Sequence, residues 1–480
     1  MRPRLMIVGG QVAILSLLVV LALWYRDALS ERFEPIQKLF PISGQGAHTP
    51  ANVSHPAAPS QQASVETPDK ELTPIEGDGQ EGGSVEDGQE VAPPKTLENL
   101  DDYVRAIFDP ADATFERLEC PVPPPPVLAR YETLKPQGNT PPKFTKYFFA
   151  LDLTQVVDLL PRLIGSIVEA TRFLGPENCA LSIVEGNSDD GTTEVLDAIR
   201  QELDAMGIAR YFFETSNVNP KEGENQRIVG LAKLRNLALQ PMLDNVRDYS
   251  ADTVVIFLND VAICMEDILE LAYQRDHLGA DMTCAMDWTY VGRDPTFYDV
   301  WISRTMTGES FFNIPEDRSW DEAWNLFWND HETKSRYSTH LPFQVFSCWN
   351  GAVTFSADPI LNGDVVFRSN NPGECFQGEP ELFCKDLWYK GWGKIAVVPS
   401  VNLEYSDEQG KALKALKGYT SKWVGPEQDE KSKIEWQKDP PQQVKCMEVM
   451  EKPEWKPWDE TLITSWSMKA RRPSRKHRRR

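Results

Sequence analysis

The chain has 480 residues, of which 41% are hydrophobic, and its formal net charge at pH 7 is −22. This length allows more than one structural unit and a sizeable core. The negative charge argues against nucleic acid as the main partner, because phosphate binding requires clustered Lys and Arg. The one basic cluster, residues 471–480, is short and is expected to be a solvated, disordered tail.

The cysteine pattern argues against a zinc site. The eight Cys are widely spread without a Cys-x-x-Cys pair, and the chain has only six His. In an oxidising compartment some of these Cys would pair. We expect at least one disulfide among five of them, with the connectivity open: Cys264, Cys284, Cys348, Cys375 and Cys384.

An apolar run near the N-terminus has the length of a membrane-spanning helix. Residues 5–24 contain no charge, and twenty apolar residues span a bilayer. Arg2 and Arg4 precede the run and two Arg follow it, so the positive-inside rule alone gives no clear orientation. The additional positive charge of the free α-amine favours a cytoplasmic N-terminus. A cleavable signal peptide is the alternative, although its apolar core would normally be shorter. We predict a cytoplasmic tail at 1–4 and a signal-anchor at 5–24.

The next segment has the composition of a flexible stem. Residues 41–142 contain 17 of the 36 Pro, together with many polar residues. Such a segment buries too little apolar surface to offset its chain entropy. We predict a stem at 25–143 with a short helical island within 100–118. Anchor, stem and folded body together are typical of Golgi type II enzymes, and also fit a tethered receptor or scaffold.

The body, predicted at 144–424, alternates strand-like and helix-like segments and precedes a C-terminal extension with a basic tail at 425–480. This alternation predicts an α/β fold, a Rossmann-like sandwich with a mostly parallel sheet. Predicted strands lie at 147–151, 180–184, 211–213 and 253–258, and predicted helices include 193–206 and 228–242. Ligands of such sheets bind beyond the carboxyl ends of the strands.

Acidic and amide side chains follow two of these strands. Glu185 and Asp189 come after the second strand and could accept hydrogen bonds from a nucleobase or ribose, or could cap the next helix. Asn259 and Asp260 follow the strand at 253–258. Their oxygens suit Mn²⁺ or Mg²⁺, which would neutralise a leaving diphosphate; a surface turn is the alternative.

Basic residues between the third and fourth strands could bind a donor phosphate. Arg227, Arg235 and Asn236 are the candidates, and a solvated helix face is the alternative. Near the end of the body, Glu381 stands in an acid-rich segment before an apolar helix. It could cap that helix or lie beneath the reacting sugar carbon.

Several motifs together resemble a known family. They are Arg227-Ile228 with Leu231-Ala232-Lys233-Leu234-Arg235-Asn236, Phe257-Leu258-Asn259-Asp260-Val261, Ala285-Met286-Asp287-Trp288, residues 342–351 and residues 381–388. Across residues 146–405 the chain resembles the fungal capsule-associated α-1,3-mannosyltransferases, which have the A-type glycosyltransferase fold.

The resemblance implies transfer of mannose from GDP-mannose to an α-mannoside or mannan, forming an α-1,3 linkage with retention and with Mn²⁺ (or Mg²⁺) present. Asp260 would bind the metal beside Asn259, which departs from the usual Asp-x-Asp, and Glu404 or Asp407 would replace the usual late His. Glu381 and Asp287 would be the catalytic carboxylates. Candidate acceptor residues are Trp349, Asn350 and Asp386. The implied location is the Golgi membrane, with a lumenal catalytic domain.

Two other functions remain open at this point. One is a catalytically silent family member that organises glycan synthesis or export. The other is a lectin-like module built on the aromatic-rich residues 320–349. Acids kept at strand ends favour an enzyme, since a silent fold has no need of them.

Overall fold

The computed structural model describes residues 97–136, 143–220, 227–291, 293–315, 320–448 and 452–462. Within these ranges no helix is both long and apolar enough to cross a membrane. The predicted anchor and the basic tail lie outside the described residues.

A ten-stranded mixed sheet forms the centre of the body. Its strand order is β3-β2-β1-β4-β9-β5-β10-β8-β7, with β6 paired to β5, and a separate hairpin joins β11 to β12. The strands are β1 Tyr147–Leu153, β2 Cys179–Glu185, β3 Arg210–Thr215, β4 Val254–Leu258, β5 Met282–Val291, β6 Asp294–Phe297, β7 Arg304–Thr305, β8 Phe343–Ser347, β9 Ala352–Ser356, β10 Ile395–Leu403, β11 Gln443–Cys446 and β12 Glu454–Pro457.

Helices cover both faces of this sheet, because successive side chains of a strand point to opposite sides. On β1, Phe149 and Leu151 pack in one apolar layer while Phe148 and Ala150 pack in the other. The helices are α1 Leu100–Phe108, α2 Pro125–Tyr131, α3 Leu160–Leu174, α4 Thr192–Ala198, α5 Arg200–Met206, α6 Arg227–Asp244, α7 Met265–Leu278, α8 His331–Ser338, α9 Asp358–Leu361, α10 Glu379–Tyr389, α11 Asp407–Lys417 and α12 Pro426–Ser432.

The α/β prediction is confirmed: the sheet contains the expected parallel pairing, and antiparallel pairs make it a mixed sheet. Parallel pairing joins β3, β2, β1 and β4 on one side and β5 with β10 on the other. Between them β9 runs antiparallel to both β4 and β5. The predicted helix at 193–206 is also divided into α4 and α5, which meet at Ile199.

The predicted stem boundary at 143 is wrong for the described part of that segment. Leu118 and Tyr131 are fully buried in the core layer that contains α3 and α7. Arg130 on α2 pairs with Glu270 on α7 at 2.9 Å, and Cys120 forms a disulfide with Cys264. Residues 97–136 therefore belong to the folded body.

The predicted extension at 425–480 likewise begins inside the body. Asp429 on α12 accepts a 2.6 Å ion pair from Arg130, and Cys446 on β11 forms a disulfide with Cys375. A third disulfide, Cys284–Cys348, confirms the expected pairing among the central cysteines. Cys179 and Cys384 are free and buried.

Candidate active site

Two carboxylates lie side by side at the carboxyl ends of β1 and β4. These strands pair in parallel with Leu151 opposite Leu258, which brings Asp152 and Asp260 to the same edge of the sheet. Both side chains are partly exposed. Burial raises the pKa of each to about 6, and Arg235 opposes that shift in both cases. This edge can therefore present two hard oxygen ligands to a cation.

Arg235 is the buried cation of this site. From α6, its Nε donates a 2.8 Å hydrogen bond to Glu379 at the start of α10. Its guanidinium lies 4.3 Å from the centre of the Trp349 ring. Within the described residues its buried Nη1 has no hydrogen-bond partner. Arg235 thus links α6, α10 and the two strand-end carboxylates through one positive charge.

A tight turn between β8 and β9 fixes the chain before Asp260. Trp349 Nε1 donates to Asn259 Oδ1 at 2.9 Å, and the Asn259 backbone N donates to the Gly351 carbonyl at 2.9 Å. Gly351 has a φ of 80°, and a Cβ there would lie 3.1 Å from Val261. Because Trp349 already occupies Asn259 Oδ1, metal binding by Asn259 stays a prediction without further support.

Asp287 lies beneath this turn, in a buried polar group. Tyr405 donates to Asp287 Oδ2 at 2.5 Å, and the Asp299 backbone N donates to Asp287 Oδ1 at 3.3 Å. The Asn350 backbone N in turn donates to Asp299 at 2.7 Å. Burial and the neighbouring Asp299 raise the pKa of Asp287 well above its ordinary value. Asp287 is fully buried and supports the turn, and its expected catalytic role stays a prediction.

The structure also separates Glu381 from the strand-end carboxylates. Two residues along α10 turn a side chain by about 200°, so Glu379 meets Arg235 while Glu381 meets Arg304 at 3.6 Å. Glu381 is 1% exposed, and burial raises its pKa to about 8. This placement does not support the expected catalytic role of Glu381, which stays a prediction.

The candidate acceptor residues are engaged in contacts within the protein. Trp349 and Asn350 are buried, at 1% and 0% exposure. Asp386 accepts two hydrogen bonds from Arg368, at 2.6 and 2.8 Å. All three side chains therefore make contacts within the protein, and the expectation that they contact an acceptor stays a prediction.

The loop after β2 is organised by Glu185. Its carboxylate accepts from the backbone N of Asn187 and Ser188 at 3.0 and 2.7 Å, and from Thr193 Oγ1 at 2.9 Å. Asp189 is exposed and accepts from Gln155 at 2.8 Å. Glu185 thus stabilises the turn before α4, as the capping alternative expected. A donor-binding role for Glu185 and Asp189 stays a prediction.

The outer side of α6 lines an open cavity of about 400 Å³. Asn236 borders it, but its amide exchanges two hydrogen bonds with the backbone of Phe367, at 2.8 and 3.0 Å. Arg227, at the start of α6, is partly exposed whereas Arg235 is buried. A donor-binding role for Arg227 and Asn236 stays a prediction.

The two replacements expected for a late His ligand, Glu404 and Asp407, have different partners. Glu404 forms a backbone bridge with Ala262, just after Asp260, and burial raises the pKa of its carboxyl. Asp407 accepts a 2.6 Å hydrogen bond from the Leu118 backbone N. Among the described residues no cluster of three or more His, Cys, Asp or Glu side chains is arranged to hold a metal.

Sequence reasoning missed Asp152, Glu379 and Asp299. Asp152 could have been found, because it is the acid near the end of the first predicted strand. Glu379 stands in the same acid-rich segment as Glu381, and only the rotation of α10 separates them. Asp299 follows a short strand, β6, that the sequence pattern did not indicate.

The comparisons with known proteins agree on one family. A family model described as Cryptococcal mannosyltransferase 1 matches residues 146–386. Alpha-1,3-mannosyltransferase CMT1 of Cryptococcus neoformans var. neoformans serotype D is 36% identical over 316 residues, covering 63% of this chain and 67% of that protein.

Similar solved structures are more distant. One is S. aureus TarS 1-349, with 15% identity and a TM-score of 0.32, covering 57% of this chain and 65% of that one. Another is mannosyltransferase PcManGT from Pyrobaculum calidifontis in complex with GDP-Man and Mn²⁺, with 9% identity and a TM-score of 0.32, covering 64% of this chain and 74% of that one. These similarities are too low to inform the site.

Proposed function

This chain belongs to the Cryptococcal mannosyltransferase 1 family, and from that premise we propose that it is a retaining α-1,3-mannosyltransferase. Its donor is GDP-mannose and its acceptor an α-mannoside or mannan, in the synthesis of capsule, cell wall or another glycan. The fold we assign to it is the A-type glycosyltransferase fold. The observation that carries this proposal is the pair Asp152 and Asp260, partly exposed at neighbouring strand ends around the buried Arg235.

The strand-end carboxylates fit a divalent cation such as Mn²⁺. Hard cations in nucleotide sites commonly take one or two protein carboxylates and complete their shell with substrate phosphate and water. Asp260 would bind the ion, with Asp152 as the second ligand or as the carboxylate facing the donor sugar. A bound ion would supply charge neutralisation at the diphosphate leaving group.

The remaining residues of the site act by positioning. Glu379 is 2% exposed, so its carboxylate acts through Arg235, which it holds by the 2.8 Å bond. Arg235 keeps Asp152 and Asp260 close together despite their like charges. Trp349 and Gly351 hold the chain before Asp260. Since Glu381 and Asp287 are buried, the carboxylate that faces the anomeric carbon in a retaining reaction would be Asp152.

A membrane location accompanies this proposal. We place the chain in the Golgi membrane through residues 5–24 as a single-pass type II protein, with the body in the lumen. The three disulfides of the described body support that compartment, because such bonds persist in oxidising environments.

A donor screen tests the proposed function. The purified protein is incubated with GDP-mannose, GDP-fucose, UDP-glucose or UDP-galactose, with and without Mn²⁺, and an α-1,3-linked dimannoside as acceptor. Transfer from GDP-mannose alone, with the anomeric configuration retained by NMR, is the expected result. Transfer from a UDP-sugar would replace the donor assignment. Absence of transfer from every donor would favour the catalytically silent alternative.

A further inference from the structure

Three tryptophan side chains are exposed on two segments that border the turn that follows β7. Trp324 is 78% exposed, and Trp328 and Trp455 are 41% and 46% exposed. Asn329, next to Trp328, donates a 3.4 Å hydrogen bond to Thr307. The Trp455 ring lies against Gly308, where an added Cβ would lie 3.2 Å from the ring. Trp328 and Trp455 therefore flank one turn, and we call the three side chains the tryptophan surface.

The segment that carries Trp324 and Trp328 is anchored to the core by its buried residues. Leu326 and Phe327 are buried, and the Phe327 backbone N donates to the Phe311 carbonyl at 2.7 Å. The Phe327 ring lies 4.8 Å from the ring of Phe311 and 4.9 Å from that of Phe343. The two indoles are thus presented by an anchored segment. Tryptophan supplies a large, rigid contact area at a low cost in conformational entropy, which suits these indoles to a binding surface.

Charges around the tryptophan surface restrict what it can bind. Asp321, Glu322 and Asp330 flank the two indoles in sequence, and the whole chain carries −22. Beside Trp455, Glu454 is paired with Lys456 at 2.6 Å. Anionic lipid, nucleic acid and a second copy of this chain would all be repelled. A neutral glycan would not be repelled. Its pyranose rings offer an apolar face for an indole and hydroxyl groups for the polar side chains of Asn329 and Thr307.

We propose that the tryptophan surface binds the extended chain of an α-mannan acceptor, outside the carboxylate site at β1 and β4. The identity of the glycan rests on the proposed function, whereas the exposed indoles and their acidic surroundings do not. None of the three tryptophans belongs to the site described above. A chain bound there would raise the local concentration of its own end at the active site. The surface would therefore favour long acceptors over short ones.

The test uses the full-length protein in native gels containing neutral α-mannan. We compare the wild type with Trp324→Ala/Trp328→Ala, with Trp324→Phe/Trp328→Phe, and with Val122→Ala/Val246→Ala. The last variant is a matched control, because it removes exposed apolar side chains elsewhere. Mannan should retard the wild type and the control. The Ala variant should bind mannan about tenfold more weakly, the scale of two aromatic contacts, and the Phe variant should be intermediate. Unchanged melting temperatures would confirm that all variants fold.

Kinetics separate this inference from the proposed function. In the Ala variant, KM should rise about tenfold for mannan and stay unchanged for a dimannoside, with kcat unaffected for both. Equal retardation of wild type and Ala variant would overturn the inference. So would wild-type binding to acidic-lipid vesicles without binding to mannan. If mannan is bound through these tryptophans but no donor supports transfer, the proposed function fails and the binding surface stands. If dimannoside is elongated but mannan is not bound, the inference about the tryptophan surface fails and the proposed function stands.

Discussion

The indole Nε1 of Trp349 donates a 2.9 Å hydrogen bond to Oδ1 of Asn259, one residue before Asp260. The same indole ring lies under the guanidinium of Arg235. One side chain therefore contacts both the chain that carries Asp260 and the cation that balances it. We expect Trp349→Phe to keep the ring beneath Arg235 and to free the Asn259 amide. Loss of one hydrogen bond of about 1 kcal/mol should weaken Mn²⁺-dependent GDP-mannose binding by up to about tenfold.

Trp388→Phe is the matched control for Trp349. The Trp388 indole donates to the Phe346 carbonyl at 2.9 Å, so the variant also loses one buried indole bond, but away from Asp260. Calorimetric titration of both variants with GDP-mannose and Mn²⁺ measures the difference. Equal affinities would show that the Trp349 bond serves stability alone.

Asp260, Asp152 and Glu379 should respond differently to replacement by the amide. Asp260→Asn should abolish most Mn²⁺-dependent donor binding. Asp152→Asn should lower kcat by about 100-fold or more, the scale of losing one preorganised electrostatic group. Glu379→Gln breaks a buried ion pair and should destabilise the protein by about 3–5 kcal/mol. Turnover, titration and denaturant unfolding measure the three effects. Normal donor binding by Asp260→Asn would refute the metal assignment.

Donor binding in the presence of Mn²⁺ should weaken as the pH falls through about 6. The pKa values of Asp152 and Asp260 are both raised to about 6 by burial. Below that value both carboxyls hold a proton, which competes with the metal. Titrations between pH 5 and 8 check this, with metal-free GDP binding as the reference. A flat profile over this range would mean that neither carboxylate binds the ion.

Glu381→Gln should leave kcat near that of the wild type and change the pH dependence of stability. The folded pKa of Glu381 is raised to about 8 by burial, so between pH 4.5 and 8 the unfolded state holds fewer protons. Stability of the wild type therefore falls as the pH rises through this window. The variant lacks this loss, so the melting temperature of the variant minus that of the wild type should be a few degrees larger at pH 8 than at pH 5.

The opposite result for Glu381→Gln is equally informative. A lower melting temperature at all pH values would show that the carboxylate is ionised and paired with Arg304, 3.6 Å away. A large fall in kcat with unchanged donor binding would restore Glu381 as the catalytic acid. Lys135→Gln, on an exposed ion pair, serves as a control for loss of one surface charge.

A chain that begins at residue 97 should fold, and one that begins at residue 143 should not. The shorter chain lacks Tyr131 and Leu118, which are fully buried, and lacks Cys120, the partner of Cys264. Yield of monomer and melting temperature measure the difference. A folded, active chain from residue 143 would show that the segment 97–136 is an accessory.

The sequence was sufficient for the parts of the fold with local signals. β1 and β4 are nearly continuous apolar runs, typical of strands covered on both faces, and their ends located Asp260. The insertion of β9 between β4 and β5 was not predictable, because strand partners are chosen by contacts distant in sequence. The roles of Glu379 and Glu381, within one helix turn, also depend on contacts with residues distant in sequence. Both are acids near the start of α10, and only the ion pair with Arg235 determines which one faces the strand ends.

The covalent and hydrogen-bonded links of β11 have a consequence for biosynthesis. Cys446 is bonded to Cys375, just ahead of α10, and the carbonyl of Lys445 accepts from Arg304 at 2.8 Å. A nascent chain can build β1 to β10 as they emerge, since domains fold as units from the N-terminus during synthesis. Arg304 and the start of α10 cannot acquire their final neighbours until residue 446 has left the ribosome. Premature termination anywhere between residues 403 and 446 should therefore yield a chain with a complete sheet and an incompletely assembled α10.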